Sequence, residues 1–179
     1  MTLERAYYHK LMLEVGLTER FDQELDELLE QEDPLSDLVL ALSTCGGDRN
    51  EQIHILNEFV LSVRKEQIDK DAVFSMVADD FLSRYENGSE DLEQMLRQMH
   101  TVANASGFDA DDPWASMDTL YYLYDDIECG WTTEAKLRQA LVKLLRDKAS
   151  VFEPPQPKSE KKINQFFRDL KRLFARIRR

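Results

Sequence analysis

Cysteine, proline and glycine are scarce in this 179-residue chain, which contains two, five and six of them respectively. Cys45 and Cys129 lie far apart and belong to no CxxC pair, so we expect two reduced, partly buried thiols rather than a disulfide or a metal site. The low content of glycine and proline argues against a collagen-like or low-complexity chain. Alternating runs of β-branched residues are also missing, which argues against strands.

Long hydrophobic runs are missing as well. No apolar stretch approaches the ~20 residues that are needed to cross a bilayer. Residues 1–16 carry charges within their apolar stretch and no small-residue cleavage site, so they do not resemble a signal peptide or an anchor. We therefore expect a cytoplasmic protein that does not cross a membrane.

Motifs for metal-dependent or nucleophilic catalysis are scarce too. The chain has no HExxH, GxxxxGK[ST] or GxSxG motif. Glu51–His54 has the spacing of the Glu-x-x-His element of di-iron bundles, but the second copy that such a site needs is missing. The pairs Asp79–Asp80 and Asp125–Asp126 would hold Mg²⁺ only if they met in one cleft. We expect no catalytic residue, no metal and no cofactor.

Helix signals fill the chain instead. Asp33 and Asp112 each put a capping carboxylate before a proline, and Asp48 and Ser89 stand where other helices would begin. Apolar residues follow at helical spacings. They predict helices at about 2–15, 18–32, 34–45, 49–66, 70–87, 89–106, 113–129, 133–149 and 160–178. The predicted fold is all-α, a bundle or helical-hairpin array of about eight helices that is followed by a basic amphipathic helix.

Two predicted helices have unusual features. The segment 113–129 is apolar over about half of its circumference, so we expect it near the centre of the packing and its aromatic residues in the core. Carboxylates crowd the end of this segment and the end of segment 18–32, although the C-terminal end of a helix is its negative pole. Nearby positive charge would compensate them. These carboxylates are Glu30, Glu32, Asp125, Asp126 and Glu128.

The charge is divided very unevenly along the chain. Residues 158–179 contain nine basic and two acidic side chains, which gives +7 and leaves 14 basic and 33 acidic side chains, or −19, in residues 1–157. The only proline-rich stretch separates the two parts. We predict an acidic helical domain at 1–150, a linker at 151–159 and a basic amphipathic helix at 160–179.

The basic segment combines two kinds of surface. Seven apolar residues from Ile163 to Ile177 occupy an arc of about 120° at 100° per residue, and most of the cationic residues lie outside it. Such a helix needs a surface that buries its apolar stripe. The residues that we expect to bind a partner or a membrane are Phe166, Phe167, Leu170, Lys171, Arg172, Leu173, Phe174 and Arg176.

These features predict a non-enzymatic interaction protein. Its basic helix would dock on the acidic domain of the same chain, on a partner protein or on an anionic membrane surface. Nucleic acid is disfavoured because the apolar stripe has no counterpart on a duplex and the charge of −19 on residues 1–157 would be repelled. The first alternative is an acidic antagonist of a basic protein, of the toxin-neutralising type. The second is a metal-dependent hydrolase that uses the aspartate pairs. The partner's identity and the oligomeric state stay open.

Overall fold

The computed structural model describes residues 1–62 and 67–148 of the chain. These residues form eight α-helices and no strand, which confirms the all-helical class and the predicted number of helices. The linker 151–159 and the basic segment 160–179, with its predicted binding residues, lie outside the described residues. In chain order the helices are α1 (Leu3–Glu14), α2 (Glu19–Gln31), α3 (Asp37–Thr44), α4 (Arg49–Leu61), α5 (Lys70–Asn87), α6 (Leu92–Ser106), α7 (Trp114–Glu128) and α8 (Glu134–Asp147).

Short polar side chains set several of the helix starts. The carboxylate of Asp48 accepts hydrogen bonds from the backbone N–H groups of Asn50 and Glu51, as the sequence predicts for the start of α4. The cap of α6 is Asp91 rather than the predicted Ser89, because the Asp91 carboxylate accepts the backbone N–H of Glu93. Capping at α4 and α6 therefore follows the mechanism expected from the sequence, with a shift of two residues at α6, whereas the N-cap of α7 is Pro113 rather than the predicted Asp112.

The start of α3 is later than predicted. Its N-cap is Ser36, so the helix begins three residues after the proline that was expected to open it. The carboxylate of Glu32 accepts hydrogen bonds from the backbone N–H and the hydroxyl of Ser36, at 3.1 and 2.9 Å. These bonds hold the intervening residues in a turn outside the helix.

The first helix lies at the centre of the fold. It packs against α4, α5 and α6, while α5 also packs against α8 and α7 lies against α6 and α8. On the other side, α3 connects α2 to α4. Most of α1 is buried, which is possible because its apolar and aromatic residues extend around much of its circumference. Its buried residues are Ala6, Tyr7, Tyr8, His9, Leu11, Met12 and Leu13.

The expectation that segment 113–129 would be central is correct for only one half of it. In the first half of α7, Trp114, Met117 and Leu120 are buried, and the Trp114 ring contacts Phe74 edge-on at 5.1 Å. In the second half, the apolar residues Tyr121, Leu123, Tyr124 and Ile127 are only partly buried against the core. The reason is that α7 packs mainly against α6 and α8, which leaves one side of its last turns uncovered.

None of the helices in residues 1–62 and 67–148 combines the length and the hydropathy that a bilayer span requires.

The two tryptophans provide a matched test of this core. Trp114 is fully buried, whereas Trp131 is 79% exposed. Trp114→Ala removes a large buried side chain and leaves a cavity, so we expect the free energy of unfolding to fall by about 3–5 kcal/mol. Trp131→Ala should change it by less than about 0.5 kcal/mol. Urea unfolding followed by far-ultraviolet circular dichroism measures both, and equal effects would contradict the described core.

Candidate functional site

The sequence-predicted binding residues, from Phe166 to Arg176, lie outside the described residues. What the structure describes is the acidic domain that would receive them. The candidate surfaces of this domain are therefore considered in turn, beginning with the positions at which the sequence suggested chemistry.

The isolated Glu-x-x-His element does not form part of a cluster. Glu51 and His54 are both exposed on α4. In the described ranges 1–62 and 67–148, no three His, Cys, Asp or Glu side chains are grouped so that they could hold a metal ion. Both cysteines are free thiols; Cys45 is partly buried as expected, whereas Cys129 is exposed because it ends α7.

Asp80, the second residue of the first aspartate pair, belongs to a network centred on Arg84, whereas Asp79 pairs with Lys148. The guanidinium of Arg84 pairs with Asp80 at 3.0 Å, Glu19 at 2.8 Å and Glu90 at 3.5 Å, and thereby connects α5 to the starts of α2 and α6. Burial lowers the pKa of Arg84, but the hydrogen bonds from Arg84 to Glu19 and Asp80 raise it more. The hydrogen bond from Arg84 also lowers the pKa of Glu19. A shallow cavity of about 320 Å³ borders this network. Its carboxylates are already matched by arginine, so the network joins helices.

A second cavity, with a mixed polar and apolar lining, lies between α1, α4 and α6. It has a volume of about 440 Å³, and its lining includes Tyr7, Lys10 and Leu61. The Tyr7 hydroxyl donates a hydrogen bond to the backbone carbonyl of Ser106, and burial followed by the charge of Glu14 raises the pKa of Tyr7 to about 12. These contacts join α1 to the end of α6.

The crowded carboxylates at helix ends divide into two cases. Glu32, which follows α2, lies 3.5 Å from the ammonium group of Met1, so the expected compensating charge is confirmed there. At the end of α7, by contrast, Asp125, Asp126 and Glu128 form no ion pair with any cation of the described residues. Because these carboxylates also lie at the negative pole of their helix, their local potential is strongly negative.

Aromatic side chains share this part of α7. At 100° per residue, one arc of about 120° on α7 contains both aromatic and acidic residues. We call this arc the α7 face, and it consists of Asp118, Tyr121, Tyr122, Asp125 and Glu128. Tyr122 is 54% exposed on this face, and Trp131, which follows the helix, is 79% exposed. Cys129 continues the same side, four residues after Asp125.

A histidine from α6 holds the aromatic part in place. The His100 ring stacks on Tyr121 at 4.8 Å and contacts Tyr122 edge-on at 5.4 Å. Its Nδ1 lies 2.7 Å from Asp118, whose carboxylate also accepts a hydrogen bond from the Asn104 amide at 3.0 Å. These contacts fix the positions of the two tyrosine rings relative to the carboxylate of Asp118.

Negative charge also reaches this region from the start of α6. The hydroxyl of Tyr124 lies 3.5 Å from the Glu93 carboxylate. Partial burial raises the pKa of Tyr124, and the charges of Glu93, Asp91 and Glu128 raise it further. Beside it, Asp91, Glu93, Gln94 and Arg97 line a cavity of about 360 Å³. The carboxylates of two antiparallel helices therefore concentrate at one end of the α6 and α7 pair.

Such a surface suits an arginine-bearing ligand. A guanidinium group pairs with carboxylates and stacks on aromatic rings, so both components of the α7 face would contact it. Sequence reasoning did not identify this face. The i, i+3, i+4, i+7 spacing of Asp118, Tyr121, Tyr122 and Asp125 indicates that these residues share one side of a helix. The same spacing of the aromatic residues also fits a buried stripe, and the sequence therefore predicts that they lie in the core.

A comparison with known proteins found no matching family model, no matching curated protein and no matching solved structure.

The Arg84 network gives a stability prediction. Arg84→Ala leaves the carboxylate of Glu90, which is 11% exposed, without its cation, and leaves Asp80, which is 10% exposed, with only Arg20 at 3.7 Å. We expect a loss of about 2–3 kcal/mol in the free energy of unfolding. The control Arg97→Ala removes an exposed i,i+4 pair with Glu93 and should cost less than about 0.5 kcal/mol. Urea unfolding measures both, and a similar cost for the two variants would show that Arg84 has no special role.

Proposed function

We propose that this chain is a non-enzymatic interaction protein whose acidic helical domain binds a basic amphipathic helix. The α7 face is the observation that carries the proposal, because it combines the exposed ring of Tyr122 with the carboxylates of Asp125 and Glu128, which have no cationic partner among the described residues. The chain's own segment 160–179 has the complementary composition, with an apolar stripe flanked by arginine and lysine.

The two components of the face would have different roles in binding. The rings of Tyr121 and Tyr122 offer an apolar surface to the stripe of the incoming helix, and helices commonly bind partners through such a face. The carboxylates of Asp125 and Glu128 would pair with flanking cations and fix the orientation. Arginine suits this surface better than lysine because its planar guanidinium group both stacks on rings and pairs with carboxylates.

A basic protein from outside the chain is the alternative ligand. In that case the protein would act as an acidic antagonist, and the uncompensated carboxylates of Asp125, Asp126 and Glu128 favour this version because they would attract a cationic surface. Binding that weakens steeply with salt would support it. The metal-dependent alternative needs Asp80 and Asp125 in one cleft. Asp80 pairs with Arg84, whereas Asp125 is exposed on the α7 face, and this arrangement favours the interaction proposal.

An anionic membrane is the third candidate ligand, and it concerns the basic segment alone. Its apolar stripe would enter the acyl boundary while its cations contact the headgroups. The negatively charged domain would oppose this approach. Co-sedimentation of the full chain with phosphatidylserine-containing vesicles, compared with phosphatidylcholine vesicles, separates this candidate from a protein ligand.

A synthetic peptide tests the main proposal. The probe is a fluorescently labelled peptide with the sequence of residues 158–179, and the binding partner is the full chain with Phe167→Asp and Phe174→Asp, which disable its own segment. We expect saturable binding by fluorescence anisotropy. Adding Tyr122→Ala and Asp125→Asn should weaken it at least tenfold, which corresponds to about 1.4 kcal/mol.

The controls test whether peptide binding depends on the α7 face or only on the negative charge of the domain as a whole. Asp26→Asn with Leu29→Ala removes one exposed carboxylate and one exposed apolar side chain from α2, and it should leave the affinity within about twofold. A scrambled peptide of identical composition should bind at least tenfold more weakly. Equal binding of both peptides, or unchanged affinity after substitution of Tyr122 and Asp125, would overturn the proposal.

A further inference from the structure

We infer that the chain's own segment 160–179 occupies the α7 face in the free protein, so that the protein masks its basic helix until a competing ligand releases it. This inference rests on the proposed function, and it adds the identity of the resident ligand and a means of regulation. Its support comes from the length of the chain after α8, the distribution of charge and the effect of a covalent tether.

The part of the chain that follows α8 is long enough to reach this surface, although α8 itself runs away from the end of α7. α7 and α8 pack against each other and are joined by only five residues, 129–133, which makes them an antiparallel hairpin. The end of the described chain at Lys148 is therefore about one helix length from the end of α7. Fourteen residues of α8 correspond to about 21 Å. The 11 residues 149–159 can span at most about 36 Å.

Charge complementarity favours this surface over the carboxylates of α5 that lie beside the end of α8. Lys148 pairs with Asp79 at 3.0 Å, and Arg146 pairs with Glu86 at 2.8 Å, so the carboxylates of α5 beside the end of α8 are already matched. Asp125 and Glu128 have no such partner among the described residues. A segment of charge +7 would gain most where negative charge is uncompensated.

The exposed apolar side chains agree with this assignment. In the described residues, the large hydrophobic side chains that are clearly exposed lie on α2, α3 and α4 as single leucines, and on or just after α7 as aromatic residues. Tyr122 and Trp131 lie nine residues apart on either side of the end of α7. Among the described residues, the clearly exposed aromatic rings are Tyr122 and Trp131, and a stripe with three phenylalanines would pair with them, because aromatic pairs stabilise each other beyond the area that they bury.

A tether favours the same chain over a second copy. A short flexible linker gives an effective concentration in the millimolar range, whereas a second copy is present at its actual, typically micromolar, concentration. Docking within the chain would then exclude both a partner and a membrane, because the single apolar stripe of the segment can face only one surface at a time. Release would expose Phe166, Phe167 and Phe174 together.

The exposed thiol of Cys129 reports on occupancy of the α7 face. In a full chain with Cys45→Ser, we expect N-ethylmaleimide to modify Cys129 at least fivefold more slowly than in the same chain with Phe167→Asp and Phe174→Asp. A matched control, Asn164→Asp with Gln165→Asp, adds the same two charges outside the apolar stripe and should keep the slow rate. The rates should not depend on protein concentration between 1 and 100 µM, and 500 mM NaCl should reduce the protection.

Peptide competition provides the second readout. The wild-type chain should bind the labelled 158–179 peptide at least tenfold more weakly than the Phe167→Asp, Phe174→Asp chain, because its own segment competes. Equal affinity of the two chains, together with equal modification rates of Cys129, would overturn docking within the chain while leaving the proposed function intact. Protection that increases with protein concentration would assign the site to a second copy and also overturn the inference. Failure of both chains to bind the peptide would instead remove the proposed function.

Discussion

Burial of α1 on several sides is the constraint from which the arrangement of the other helices follows. A central helix needs neighbours around most of its circumference, and α4, α5 and α6 supply them. Its buried His9 also needs a polar partner, which Glu24 of α2 provides at 3.0 Å, so the same constraint positions α2. With these places filled, α7 packs on α6 and α8 packs on α5, away from α1. The uncovered side of α7 is thus a consequence of how the centre is filled.

Carboxylates are concentrated at the C-terminal ends of both α2 and α7, but they find a positive partner only at the end of α2 among the described residues. Glu32 is neutralised within the domain by the ammonium of Met1 and the hydrogen bonds from Ser36. Asp125 and Glu128 receive no such contact from the described residues, while His100 and Asn104 position the neighbouring Asp118 and tyrosine rings. The first case stabilises a turn. The second leaves an oriented surface whose unfavourable electrostatics only a cation from elsewhere could relieve.

Much of the helical architecture could be predicted because it depends on local chemistry. Asp48 caps α4 as expected, and Gly88 and Gly107 end α5 and α6 in the left-handed conformation that glycine adopts readily. The later start of α3 could not be predicted, because it depends on Glu32 reaching Ser36 across a turn. The exposure of the α7 face could not be predicted for a related reason. Whether Tyr121 and Tyr122 are buried depends on which helices flank α7, and a helical spacing alone does not specify its neighbours. The predicted basic residues lie outside the described part of the chain, so they stay predictions.

The contrast between the two tryptophans has a practical consequence for observing this protein. Indole emission shifts to longer wavelength when the ring is in water. Trp114, enclosed with Phe74 and Phe108, therefore emits as a probe of the folded core, whereas Trp131 emits as a probe of the solvent beside the end of α7. One fluorescence spectrum of the unmodified chain thus contains two separable signals, one that changes on unfolding and one that changes when something covers the turn.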